Sequence, residues 1–122
     1  MSLGFCGKCV LFEETDKTVA YTYSGENWNE PDKMSGRDLL DGLLEIRKSA
    51  FSGLTKANAK AICIDKVYQA IEDGDIQILI ACKNAFHRGK EPMDHIALLL
   101  ILHIFEFYGQ NAKFPLQDSF IQ

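Results

Sequence analysis

Three features of this sequence predict an α+β domain: a small, mainly antiparallel sheet, an N-terminal hairpin plus one or two further strands, packed with two helices. The first is a period of two over residues 18–24, where Val19, Tyr21 and Tyr23 alternate with Thr18, Ala20, Thr22 and Ser24. The second is a pair of helix-like stretches, Thr55 to Asp73 and Pro92 to about Tyr108, on either side of the apolar run Ile76 to Cys82. The third is size. A chain of 122 residues, 47% hydrophobic and 25% charged, suffices for one core and one domain spanning 1–122, with no room for a second.

Each element has a local reason. From Lys8 to Ser24 the pattern is strand, turn, strand, with Glu14-Thr15-Asp16-Lys17 as the polar connection. Residues 25–36 crowd Gly, Asn, Pro, Asp and Ser into a short stretch and read as a loop. Arg37 to Phe51 fits two patterns: a helix with Leu39, Leu40, Leu43 and Leu44 on one face, or a strand released by Asp41-Gly42 with Leu44 and Ile46 inward. Gly42 costs about 1 kcal/mol inside a helix, which favours the strand.

Thr55 to Asp73 reads as a helix, with Thr55 as N-cap and Gly74 as stop. At 100° per residue its apolar side gathers Ala57, Ala61, Ile64, Val67, Tyr68 and Ile71. Ile76 to Cys82 is apolar on both alternations, the composition of a strand covered on both faces and therefore central. Residues 83–91 form a polar loop, Pro92 suits a first helical position and Gly109 an end, and the tail from Gln110 holds enough apolar residues to dock. The last helix is apolar nearly all round. Either the sheet and tail cover it, or a second subunit does, so a homodimer through 92–108 is the first partner to expect.

Composition excludes some functions. Lys plus Arg is 13 against 17 Asp plus Glu, a net charge of −4, which argues against binding a nucleic-acid backbone. The longest apolar run, Ile96 to Phe105, is interrupted by His103 and is about half of the ~20 residues that span a bilayer, so no membrane partner is expected. The first residues lack a basic region followed by an apolar stretch, so as written there is no secretory signal, and a cytoplasmic location with reduced thiols is expected.

Four groups of residues carry potential chemistry. Cys6-Gly7-Lys8-Cys9 is a CxxC pair, a candidate zinc or thiol-redox site. It precedes a strand instead of opening a helix, no second CxxC exists, and, were the strand to begin as early as Cys6, residues three apart would point to opposite faces. The plainer reading is small apolar residues at a strand start, with Cys63 and Cys82 as core thiols. Lys83, His87, Arg88 and Lys90 form the basic cluster, an anion site (Lys83, Arg88, Lys90) or a solvated loop. His95, His103 and Glu106 share an arc of the last helix, with His103 and Glu106 spaced to hydrogen-bond. Trp28 stands among Glu26, Glu30 and Asp32, an aromatic anchor in an acidic loop that either meets a basic partner or folds back over Tyr21 and Tyr23.

Motifs for a serine nucleophile, a dinucleotide or a zinc peptidase are absent. The expectation is therefore a non-enzymatic protein-binding module of inhibitor or immunity type, binding through Trp28, Glu26, Glu30 and Asp32 without a cofactor. The alternative is a metal or thiol-redox protein centred on Cys6 and Cys9, with zinc as its metal.

Overall fold

A computed structural model describes residues 3–122. Their order is β1 (Phe5–Glu14), β2 (Thr18–Asn27), β3 (Gly42–Arg47), α1 (Ala59–Glu72), β4 (Ile76–Ile80), α2 (His95–Asn111) and β5 (Gln117–Ile121), with short 3-10 helices at Pro31–Lys33 and Lys48–Phe51. The strands form one five-stranded sheet ordered β4-β3-β2-β1-β5, antiparallel at every pairing. The α+β architecture read from the sequence is the one found.

The alternation over 18–24 divides as its period requires. Val19, Tyr21 and Tyr23 are fully buried, and they join Cys9, Leu44, Ile46, Ile76 and Phe120 in the core shared with both helices. The opposite face carries Lys8, Val10, Thr22 and Glu45, and among the described residues neither α1 nor α2 packs over it. β3 is the strand that Gly42 favours. The glycine has a further use there: it pairs with Tyr23 across the strands, and a Cβ on it would lie 2.4 Å from the Tyr23 ring.

Packing corrects several expectations. β2 runs on to Asn27, so residues 25–27 are strand and the loop starts later. α1 begins at Ala59, not Thr55. Asn58 precedes it and ties down the entry, its side chain accepting from the Thr55 amide at 2.8 Å and donating to the Gly53 carbonyl at 2.9 Å. Gly74, with φ +81°, follows the helix end as expected.

The buried side of α1 is Ala59, Cys63, Val67 and Ala70. Ala57 and Ala61 face solvent, and Ile64 and Tyr68 are 59% and 42% exposed. Close approach to α2 explains the rotation. Gly109 of α2 sits so near Ala59 that an added Cβ would lie 2.4 Å from the Ala59 Cβ, and only small side chains fit such a crossing.

Gly109 therefore does not end α2, which continues to Asn111 and stops at Ala112 in the left-handed region. Pro92 lies outside the helix, and the N-cap is Asp94, whose carboxylate accepts from the Ile96 amide at 2.9 Å. Nine residues of α2 are buried within this chain, while His103, Glu106 and Asn111 are its exposed positions. The sheet, α1 and the tail supply the cover that the sequence left open between them and a second subunit.

β4 is not central. It is an edge strand, with Leu79 and Ile80 49% and 55% exposed. The tail docks as expected and does so as β5, paired to β1 on the other edge.

Candidate functional site

Glu26, at the end of β2, organises the acidic loop from inside. Its Oε1 accepts from the Trp28 indole at 2.9 Å and its Oε2 from the Arg37 amide at 3.0 Å. Burial works against its charge, but these donors, the Gly36 amide and the Arg37 guanidinium hold its carboxyl below the usual range. Trp28 is half-buried, its amide bound to the Gly4 carbonyl at 3.0 Å. It folds back over Glu26 and Gly4, whereas Tyr21 and Tyr23 lie in the core behind the sheet. Glu30 pairs with Lys33 at 3.2 Å, and Asp32 is exposed.

Two of the four residues proposed from sequence thus hold the loop's shape, and two stand at its surface. The loop is also tied to the segment after β4: Lys33 donates to the Ala85 carbonyl at 3.2 Å, and Asn84 to the Ser35 carbonyl at 2.8 Å.

The CxxC pair lies inside β1. Cys9 faces the helices beside Asp118, and Cys6 faces the other way, its thiol 3.9 Å from Glu26. The two sulfurs therefore do not converge on one metal, and among the described residues no three His, Cys, Asp or Glu side chains gather as a metal site. All four cysteines are free and buried. Burial pushes the thiols up, Cys63 to about 11 and Cys9 and Cys82 to about 12, and raises Cys6 as well, with nearby carboxylates adding to the effect.

A thiolate needs a cation or a helix N-terminus to form near neutral pH, and these surroundings oppose it. Native protein at neutral pH is expected to react with a disulfide reagent roughly 100-fold more slowly than urea-unfolded protein, which should release all four thiols. Fast labelling of Cys6 and Cys9 in the folded state would restore the redox reading.

The basic cluster does not assemble around one point. Arg88 lies over the Phe5 ring at 5.7 Å. The Lys83 amide donates to Asp41 at 2.8 Å, and Lys90 and His87 are exposed. The helix stripe also divides. His95 is buried with its Nδ1 2.7 Å from Glu91, which makes Nδ1 the donor and leaves Nε2 without a partner. His103 pairs with Asp118 at 3.4 Å in place of the expected Glu106.

Beneath this segment runs a buried polar network. The Tyr23 hydroxyl donates to Asp94 at 2.9 Å and accepts from the Cys82 amide at 3.3 Å. Asp94 also receives the Phe86 amide at 3.4 Å. This network fixes where β4 ends and α2 begins.

Both sheet edges lie outside the sequence-based proposals. On β4, the Arg47 amide bonds the Asp75 carbonyl at 2.8 Å, so Ile76 and Ile78 turn their backbone groups outward. No charged residue occurs from Ile76 to Cys82. A charge, a proline or a cover normally guards such an edge, and here the one irregularity is a bulge opposite Leu43 and Leu44. On the other side, a groove of about 470 Å³ opens on the helix-free face, bounded by Lys8, Arg37, Asp38 and β5. The signal for the β4 edge was present in its composition, which reads as that of a covered strand.

No protein-family model, no curated protein and no solved structure matches this chain.

Proposed function

We propose that this chain is a non-enzymatic protein-binding module that works by occupying its partner's surface, as an inhibitor does, and that the contact is an added strand on β4. One observation carries the reading: a strand with the composition of a sheet centre stands at an edge, with Leu79 and Ile80 half exposed and unpaired backbone groups beside them. A partner strand would satisfy those groups and cover the apolar side chains together.

The acidic residues Asp32 and Asp41 belong to the loop tied to the end of β4 and form a rim that steers a basic partner. Trp28 and Glu26 serve by holding that loop in shape. Four free thiols suit a reducing compartment and support a cytoplasmic location as part of this proposal. Among the described residues no helix is long and apolar enough to cross a membrane.

The test is a Leu79→Lys, Ile80→Lys double variant, which puts charge on the exposed edge without touching the core. The wild-type chain is expected to retain a protein that the variant loses, with binary binding weakened about 100-fold while the thermal midpoint stays near wild type. Undiminished binding by a folded variant would remove β4 as the contact. Self-association lost in the variant would make a second copy the partner.

A further inference from the structure

We infer that the opposite edge, β5, is a second docking site that takes an extended peptide segment carrying a carboxylate side chain. This inference is independent of the role of β4.

The backbone sets the first requirement. The Phe5 and Gln122 amides bond each other's carbonyls at 2.9 and 2.8 Å, and the Leu11 amide bonds the Leu116 carbonyl at 2.8 Å. Alternation then turns Gln117, Ser119 and Ile121 outward. All three are exposed and uncharged, with no bulge in the β1–β5 register. The Ser119 amide is held only by the carboxylate of its neighbour Asp118 at 2.8 Å, a contact that a strand carbonyl replaces. An extended chain is the ligand whose spacing matches such a row.

Charge sets the second requirement. Lys8 stands opposite Ser119 in register, and the small serine leaves the space above it open, so the groove runs from the free edge inward to Lys8 and Arg37. At about 4.8 Å per strand, a glutamate on an added strand spans Ser119 to meet the Lys8 ammonium. Both cations now face Asp38, at 3.2 Å from Lys8 and 4.0 Å from Arg37, and that aspartate is 70% exposed on its loop. Asp38 occupies the place of the incoming carboxylate, and exposed pairs of this kind separate at little cost. Arg37 also faces the Glu26 carboxylate, so the groove takes the incoming carboxylate in exchange for Asp38 and not in addition to it.

The probe is a phage-displayed library of short random peptides panned against the intact chain. Enriched peptides are expected to place Glu or Asp between β-branched residues and to bind about tenfold more tightly than their Gln or Asn counterparts. Lys8→Gln with Arg37→Gln should abolish that preference, and Asp38→Asn should tighten binding. Ser119→Pro removes an outward amide and spares the bonds to β1, so it should eliminate binding of every enriched peptide; Ile121→Pro does the same two residues on, should Ser119→Pro fail to fold. The Leu79→Lys, Ile80→Lys variant should bind these peptides like wild type, which separates this site from β4. No enrichment, enrichment without acidic residues, or peptides retained by both folded proline variants would overturn the proposal. So would a wild-type dimer in sedimentation that Ser119→Pro dissolves, since a second copy would then own the edge.

Discussion

Gly25→Ala is expected to destabilise the fold by about 3 kcal/mol, a large share of the ~5–15 kcal/mol that holds a domain of this kind together. Gly25 pairs with Gly7 across the first two strands, and the N-terminal turn of α2 presses into the space those two glycines leave. A Cβ on Gly25 would lie 2.5 Å from the Cys6 carbonyl oxygen and 2.6 Å from the Ile96 side chain. The oxygen belongs to β1, so relief there requires parting β1 from β2, and relief at Ile96 requires lifting α2 off the sheet. A Cβ on Gly7 meets mainly side-chain atoms, Phe120 at 2.5 Å and Ile96 at 3.0 Å, and Gly7→Ala should therefore cost less. Gly74→Ala, where no atom lies within 4 Å but φ is +81°, should cost only about 1 kcal/mol from backbone strain. Urea unfolding of the three variants checks this order, and a Gly25→Ala protein as stable as wild type would show that α2 does not depend on the glycine pair.

What the sequence disclosed followed from how strongly one face of an element had to be buried. The first hairpin and β3 were legible because a sheet with one solvated face forces period two, and Tyr21, Tyr23, Leu44 and Ile46 keep it. On α1 the same logic misleads. Hydrophobicity alone sends Ile64 and Tyr68 inward, but a helix crossing set by Gly109 and Ala59 requires small residues, and the large ones are displaced to solvent. β5 carries Gln117, Asp118 and Ser119, so its strand character comes from its partner β1 and not from its own composition.

The candidate sites divide in a similar way. That Cys6 and Cys9 point apart follows from strand geometry once β1 is seen to begin at Phe5, ahead of the motif that the sequence placed before the strand. That Glu26 serves as an internal latch does not, because the Arg37 amide it accepts from is brought back by a loop whose path no local pattern encodes.

Asp94→Ala should be comparably damaging, by about 3 kcal/mol, because it removes an N-cap and strands the buried hydroxyl of Tyr23 and the amide of Phe86 in one change. Asp94→Asn separates the two properties of the side chain, its shape and its charge. The amide oxygen still accepts from the Ile96 and Phe86 amides, while Nδ2 replaces the oxygen that Tyr23 donates to and can only donate to that hydroxyl, so part of the alanine loss should be recovered. Burial raises the pKa of Asp94 even against its hydrogen bonds from Tyr23 and the Ile96, Phe86 and Ala97 amides.

In the window between the ordinary carboxylate value of about 3.9 and that raised value, the folded chain holds a proton that the unfolded chain has released. The stability contributed by protonated Asp94 is therefore complete below the unfolded pKa and is lost as pH rises through the folded one. Urea midpoints measured from pH 4 to 7 should show this decline in wild type relative to Asp94→Asn, since the amide has no proton to release. If the two curves run parallel, Asp94 is charged in the fold across that range, and the network around Tyr23 stabilises a carboxylate.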